Sequence, residues 1–176
     1  MIMRRIFAIL LLIAAIPFAH AGGGKPPPQT PAARTRAFLD TYGQEIALQD
    51  IKVIDKMRPV LSKDLQAALR AARIEQEKPV ADHPGDKPGL IDMGFNSGEK
   101  NAFDSYDIRL TNMLTKNRAA VDVEFTDNAQ GSTIRWRDRY EWVLEGKTWK
   151  LDDIVFRTTG RPSPRERRFK TQLRPH

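Results

Sequence analysis

The sequence predicts an α+β protein in which amino-terminal helices pack on a curved four-stranded antiparallel sheet. Three observations support this prediction. Apolar residues recur at helical spacing in the first half of the chain. From Phe103 onward the apolar period changes to two, which is typical of strands with one buried face. Short connections separate the four strands, and these favour an antiparallel meander.

The first 21 residues are predicted to form a secretory signal peptide. Arg4 and Arg5 precede an apolar run from Ile6 to Phe18, and "AHA" at 19–21 has the small residues of a cleavage site. The run is shorter than the roughly 20 residues that a membrane-spanning helix needs. We therefore expect cleavage near Ala21 and a periplasmic or secreted protein that does not span the membrane.

The composition excludes several kinds of site. The sequence contains no cysteine, so disulfides, thiol nucleophiles and cysteine-ligated zinc are excluded. Its three histidines are His20 in the predicted signal peptide, His83 in a predicted loop, and His176. These are poorly placed for a catalytic triad or a multi-histidine metal centre. We therefore expect no metal and no other cofactor.

The positive charge is concentrated at the end of the chain. Residues 161–176 contain six basic residues and one acidic residue, whereas basic and acidic residues balance over 22–160. The body therefore lacks the basic surface expected of a specific nucleic-acid-binding protein. We predict a Gly/Pro linker over 22–31, a single α+β domain over 32–157, and a basic tail over 158–176.

Two clear helices are predicted before the sheet. Thr30 caps the first, which has Pro31 at its first helical position. Ser62 caps the second, which runs from Lys63 to Lys78, and the segment 50–61 between them is short and helical or irregular. The apolar stripe of the second helix consists of Leu65, Ala68, Leu69 and Ala72.

The predicted strands cover 105–114, 118–127, 133–144 and 148–156. In the first strand, alternation places Tyr106, Ile108 and Leu110 on one face. Pairing of opposite charges favours a register with Asp122 across from Arg137. Taking Glu145 and Gly146 as the turn of the last hairpin places Trp142 across from Trp149.

Two adjacent aspartates, Asp152 and Asp153, interrupt the alternation of the last strand. In the predicted register Asp152 meets Arg139 on the polar face, whereas Asp153 points to the apolar face and meets Asp138. Two opposed carboxylates repel unless one is protonated, a cation intervenes or water enters. One interpretation is therefore a partly wet pocket. Its candidate residues are Asp138, Asp153, Trp136 and Tyr140.

The alternative interpretation of the aspartates is structural. A β-bulge at Asp152 and Asp153 would re-aim the side chain. A buried arginine or a backbone N–H would equally satisfy Asp153. Both interpretations stay open on the sequence alone.

The tail carries a second candidate site. A capping box begins at Ser163, and Phe169 and Leu173 share one face of a short basic helix. We expect this tail either to make weak contacts with an anionic surface or to act as a frayed, solubilising end. The candidate contacts are Arg161, Arg165, Arg167, Arg168 and Lys170.

Several stretches carry a family resemblance: "AFLDTY", "LSKDL", "AAVDVEF" and the closing "WKLDDI". Together with the order of elements, they resemble a bacterial exported domain-of-unknown-function family (DUF family 3828) over about residues 35–157. The resemblance implies a nuclear transport factor 2-like, or cystatin-like, cone in which helices cover a curved sheet. It implies no activity and no catalytic residues.

We therefore expect a soluble periplasmic binding or interaction module without catalysis, which takes a protein partner or a small ligand. One alternative is an inhibitor or immunity protein that neutralises an exported toxin or hydrolase through the loop at 79–101. Another is a small pocket enzyme that uses Asp138 or Asp153 as a general base.

Export predicts that the mature chain begins at Gly22, because the signal peptidase cuts after the small residue at position 21. Amino-terminal sequencing of the protein from the periplasmic fraction checks this. Recovery of an intact chain beginning at Met1 from the cytosol would contradict it.

Overall fold

The computed structural model describes residues 30–44, 51–77, 94–96, 102–128, 131–157 and 167–173. The predicted signal peptide and most of the Gly/Pro linker lie outside these residues. So does most of the loop at 79–101, on which the inhibitor alternative depends.

The helical part consists of α1 (Pro31–Tyr42), α2 (Ile51–Met57) and α3 (Lys63–Glu77). Both predicted caps are confirmed. The Thr30 hydroxyl accepts a hydrogen bond from the Ala33 N–H at 3.2 Å, and the Ser62 hydroxyl accepts one from the Leu65 N–H at 3.0 Å. These bonds satisfy amide donors that have no partner within the first turn of a helix.

The sheet is antiparallel and has five strands in the order β1-β2-β3-β4-β5. The strands are β1 (Ser105–Thr115), β2 (Arg118–Asp127), β3 (Ile134–Glu145), β4 (Thr148–Arg157) and β5 (Arg167–Arg168), and the helix α4 (Phe169–Gln172) follows. The α+β class is confirmed. The expected number of four strands is wrong, because the tail adds a strand to the edge of β4.

One face of the sheet packs against the helices. Val121, Val123 and Phe125 alternate along β2 and are fully buried. The predicted stripe of α3 is confirmed, since Leu65, Leu69 and Ala72 are buried and Ala68 packs against the same core. The side chains of Phe38 and Phe95 complete this core, with ring centroids 5.2 Å apart. Burial of such side chains is the main stabilising term for the fold.

The predicted register of β2 and β3 is wrong by two residues. Asp122 lies across from Arg139, and Glu124 lies across from Arg137. Arginines repeat at every second position of β3, so either register gives each acid a partner, and charge cannot choose between them. The observed register stacks Phe125 on Trp136, with ring centroids 5.4 Å apart.

The predicted turn between β3 and β4 is also displaced by one residue. Gly146 and Lys147 form the turn, and Glu145 pairs with Thr148. Gly146 has a φ of 64°, a conformation that glycine adopts without strain and that two-residue hairpins require. Trp149 therefore lies across from Leu144 instead of Trp142.

β1 is an edge strand that two irregularities interrupt. One lies between Ile108 and Leu110, and the other between Met113 and Thr115. The first moves Leu110 off the face of Tyr106 and Ile108, so the predicted alternation fails there and Leu110 is 49% exposed. Bulges of this kind twist an edge strand away from pairing with other chains.

The segment 167–173 is part of the fold, so the expectation of a frayed tail beyond residue 157 is wrong for these residues. Phe169 and Leu173 are buried in the core. The Phe169 ring lies 5.7 Å from Phe95 and 6.1 Å from Phe156, measured between centroids. The sequence spacing of Phe169 and Leu173 indicated a shared face, and the protein uses that face for packing.

Substitution Phe169→Ala should lower the free energy of unfolding by about 3–5 kcal/mol, because it removes a fully buried ring and leaves a cavity. Urea denaturation of the full chain measures this loss. The matched control is Arg167→Ala, since Arg167 is exposed and its loss should change stability by less than about 0.5 kcal/mol. Equal stability of the two variants would contradict the docked tail.

Candidate functional site

The outer edge of β4 has two different neighbours. Leu151 pairs with Leu61, just before α3, while Val155 and Phe156 pair with β5. Asp152 and Asp153 lie between these two contacts. Trp142 pairs with Leu151 but Glu141 pairs with Asp153, so Asp152 is an extra residue in a β-bulge. The bulge alternative drawn from the sequence matches this geometry.

Asp152 joins α3, β2 and the tail. Its Oδ1 accepts a hydrogen bond from the Ser62 hydroxyl at 2.8 Å. Its Oδ2 lies 2.9 Å from Arg118 Nη2 and 3.0 Å from Lys170 Nζ. Because the same Ser62 hydroxyl caps α3, the carboxylate fixes the start of that helix.

The balance of burial and bonding keeps Asp152 ionised. Burial opposes the charged form, but the hydrogen bonds from Lys170 and Ser62 and the charges of Lys170 and Arg118 favour it. These hydrogen bonds and charges together outweigh the effect of burial, so the pKa of the Asp152 carboxyl lies below its ordinary value. A carboxylate held in this way is a poor proton acceptor at neutral pH.

Asp153 holds the tail. Its Oδ1 accepts hydrogen bonds from the backbone N–H groups of Lys170 and Ile154, both at 2.9 Å. Its Oδ2 lies 3.3 Å from Arg168 Nη1. The same guanidinium spans both oxygens of Glu141, at 3.0 and 3.2 Å. Such two-pronged contacts are among the stronger charge-assisted hydrogen bonds.

These residues form one side of a cleft of about 580 Å³ between α3 and the tail. The polar side contains Glu141, Asp152 and Asp153 with Arg118, Arg168 and Lys170. The α3 side is nearly smooth, because it is lined by Ala67, Ala68 and Ala71 together with Asp64. Small side chains on the helix leave the space that the cleft occupies.

The charges of the cleft are layered by depth. The side chains of Asp152 and Asp153 are each only 4% exposed, whereas those of Arg118 and Arg168 are 46% and 45% exposed. The acids therefore lie at the bottom, and the cations cover them while keeping N–H groups towards solvent. We call these six residues, Arg118, Glu141, Asp152, Asp153, Arg168 and Lys170, the tail-anchor cluster.

The structure does not bring the predicted pocket residues together as expected. Asp138 lies across from Phe156, and Asp153 lies across from Glu141. Asp138 alternates with Trp136 and Tyr140 on the core face, whereas the bulge turns Asp153 to the face of Glu141. The predicted opposition of Asp138 and Asp153 is therefore wrong, because one extra residue in β4 reverses the alternation.

The three remaining pocket candidates belong to the core. Asp138 is fully buried, and its Oδ1 accepts a hydrogen bond from the Arg157 N–H at 3.2 Å. The Tyr140 hydroxyl donates to the Phe95 carbonyl at 2.5 Å. Burial, assisted by the charge of Asp138, raises the pKa of the Tyr140 hydroxyl well above its ordinary value. The phenol therefore stays protonated and acts as a hydrogen-bond donor.

The tail candidates fall into three groups. Arg161 and Arg165 lie outside the described residues, and Arg167 is exposed on the short strand β5. Arg168 and Lys170 are bonded to carboxylates of the body. Their charge is therefore largely used within the molecule, and the expected contact of these two with an external anionic surface loses its main support.

A second cleft, of about 500 Å³, contains Asp40 and Tyr106. The Tyr106 hydroxyl donates to the Asp40 carboxylate. Burial, followed by this hydrogen bond and the charge of Asp40, raises the pKa of Tyr106 to about 12. The Tyr106 hydroxyl therefore stays protonated at neutral pH and acts as a hydrogen-bond donor.

Among the residues that the structure describes, no group of three or more His, Asp or Glu side chains is arranged to hold a metal ion. Within the same ranges, no helix has the length and apolar character needed to cross a membrane.

Sequence reasoning missed how the tail-anchor cluster is assembled. Glu141 is one of several charged residues along β3, and its role as a partner of Arg168 depends on the fold of the tail. Arg118, at the start of β2, lies 3.9 Å from Glu141 and reaches Asp152 more closely, at 2.9 Å. The one available signal was the adjacency of two acids in a strand that ends near a basic, amphipathic tail.

Comparison of the sequence and fold with protein-family models, curated proteins and solved structures gives no match. The resemblance to the exported domain family therefore stays a prediction, and the site is interpreted from its geometry alone.

Substitution Asp152→Asn should lower the free energy of unfolding by about 1–3 kcal/mol at pH 7, because two cations lose a buried partner. The pKa of Asp152 is lowered in the folded state, so its stabilising effect is present above the unfolded pKa of roughly 4 and is lost as the pH falls below it. The difference between wild type and variant should therefore shrink below about pH 4.

Denaturant titrations from pH 3 to pH 8 measure this profile. The control is Asp55→Asn, because Asp55 and Arg58 form a pair with side chains that are 51% and 58% exposed and contribute less than about 1 kcal/mol. A constant difference across the whole pH range would show that Asp152 is not held as an ionised partner.

Proposed function

We propose that this chain is an exported, non-catalytic binding module whose binding site is the cleft between α3 and the tail. The proposal rests on one observation above all. In the described part of the chain, each buried carboxylate of the tail-anchor cluster already accepts hydrogen bonds from cations, from a hydroxyl or from backbone N–H groups. The cleft thus offers fixed charge for recognition instead of a free base for catalysis.

The enzyme alternative has less support from the same contacts. A general base needs a pKa near the working pH and an unoccupied lone pair that faces the substrate. Asp153 already accepts hydrogen bonds from the N–H groups of Lys170 and Ile154 and pairs with Arg168, and Asp138 is buried among core side chains and does not line the cleft. Neither carboxylate meets both requirements.

The lining of the cleft favours a ligand that carries both signs of charge. Four carboxylates and three cations line it, including Asp64 in the first turn of α3. Purely anionic or cationic ligands would meet repulsion from one of the two sets. The alanine side of the cleft accepts apolar groups. A short peptide segment with both charge signs and small apolar side chains fits these features.

The proposal includes the predicted export and the cone-like fold. Export is supported by the sequence pattern of residues 1–21. Helices that lie on one face of an antiparallel meander support a cystatin-like architecture and the resemblance to DUF family 3828. Such an architecture leaves clefts between the helices and the sheet, which are common locations for ligand sites.

Substitution Ala71→Trp should abolish peptide binding, because Ala71 is an exposed α3 residue that lines the cleft and an indole would fill the space. The control is Ile74→Trp, since Ile74 is 63% exposed on the same helix and is not part of the cleft lining. A panel of short mixed-charge peptides, followed by thermal shift and calorimetry, supplies the measurement.

Wild type and Ile74→Trp should bind the same peptides. Ala71→Trp should bind them at least about tenfold more weakly, which corresponds to a loss of about 1.4 kcal/mol of binding free energy. Peptides that bind all three proteins equally would place binding elsewhere. Chemical turnover of a bound peptide that stops in Asp153→Asn would favour the enzyme alternative.

A further inference from the structure

The tail is held by three separate kinds of contact. Its backbone pairs with the edge of β4 at Val155 and Phe156. Its Phe169 ring enters an aromatic site, and Leu173 is buried beside it. Its two cations and one backbone N–H reach the carboxylates of the tail-anchor cluster.

This combination is the one that peptide-binding domains use when an extended segment adds a strand to a sheet edge. Main-chain hydrogen bonds supply affinity, and pockets for particular side chains supply specificity. In this protein the tail side chains that would supply specificity are, in chain order, Arg168, Phe169, Lys170 and Leu173. Arg168 and Lys170 contact carboxylates, Phe169 lies among aromatic rings and Leu173 is buried, so the groove favours the order basic, aromatic, basic and, three residues later, aliphatic.

We propose that the edge of β4, the aromatic site and the three acids of the tail-anchor cluster form a peptide-recognition groove, and that the corresponding tail of a second copy of this chain can occupy it. The groove fits that segment whichever copy supplies it, because the sequence is the same. This inference goes beyond the cleft and does not depend on what the cleft binds.

The length of the connection permits exchange between copies. Nine residues, 158–166, separate the end of β4 from the start of β5, whereas an antiparallel pair can be joined by two. Fully extended, the ten steps from residue 157 to residue 167 span up to roughly 35 Å. This reach is enough to place the tail on the edge of an adjacent molecule, which is the geometry of domain swapping.

Within one chain, the covalent connection keeps the tail at a local concentration on the order of millimolar. A second copy at lower concentration therefore competes poorly with an intact tail. Exchange becomes detectable where the chain is concentrated or where its own tail is weakened. The test uses the second condition.

The first arm uses full-length Phe169→Ala, whose groove is unchanged but whose own tail lacks the aromatic anchor. The probe is a synthetic peptide of residues 165–176, RERRFKTQLRPH. It should raise the melting temperature of this variant in a dose-dependent way, by about 4 °C or more in large excess over its Kd. Should Phe169→Ala fail to fold, Lys170→Ala with an intact core serves as the recipient.

Two controls make this arm specific. The same peptide with alanine at the Phe169 position should have no effect, and wild type with its groove filled should respond weakly. If the peptide stabilises neither recipient, or stabilises wild type as strongly as the recipients, the groove is not a recognition site and the proposal is overturned.

The second arm mixes two full-length variants. Phe169→Ala supplies an intact groove, and the double variant Glu141→Gln with Asp153→Asn supplies an intact tail beside a weakened groove. The mixture should form a heterodimer by light scattering, whereas each variant alone stays monomeric. Adding Phe169→Ala to the double variant as well should abolish the heterodimer.

Peptide rescue with heterodimer formation supports exchange between copies. If the peptide stabilises Phe169→Ala but no heterodimer forms, the proposed exchange between copies is wrong, and the groove is assigned to a basic segment of another protein. Peptide binding in the cleft alone is distinguishable from both, because Ala71→Trp blocks the cleft and leaves the β4 edge untouched.

Discussion

A single extra residue in β4 organises this end of the molecule. Without the bulge at Asp152, strict alternation would direct Asp152 and Asp153 to opposite faces of the sheet. With it, both carboxylates lie at the edge, in the gap between the contact with Leu61 and the contact with β5. One then fixes the start of α3 through Ser62, and the other fixes the tail through the Lys170 N–H. The helix layer and the end of the chain are thereby joined to the sheet at one point.

The chemistry of that junction limits what the site can do. Buried carboxylates are costly unless they are paired and hydrogen-bonded, and removing one partner of such a pair destabilises a protein by several kcal/mol. The protein meets this requirement with cations that are themselves half exposed, such as Arg118 and Arg168. The arrangement stabilises the ionised acids, and it leaves charged N–H groups at the mouth of the cleft. The same contacts that disfavour proton transfer thus favour recognition.

Local signals predicted the elements well but not their alignment. Thr30 and Ser62 marked the helix starts because capping depends on chemistry within one turn. The register between β2 and β3 could not be read from charge, because Arg135, Arg137 and Arg139 repeat with the period of the strand itself. The bulges in β1 could not be placed either, and the bulge in β4 was one of two open interpretations of Asp152 and Asp153, since a bulge depends on what packs against both sides of a strand. The candidate pocket around Asp138 and Asp153 failed for this reason.

The tail shows why net charge alone was a misleading guide. Acidic and basic residues balance over 22–160, and that average conceals three buried acids brought together from β3 and β4. The excess of positive charge after Gly160 is in part the complement of this local negative cluster, as the contacts of Arg168 and Lys170 show. Phe169 and Leu173 gave the better signal, since two apolar residues four apart on a basic segment need a surface to cover them. Charge then selects which surface, because the edge of β4 offers three carboxylates beside an aromatic site.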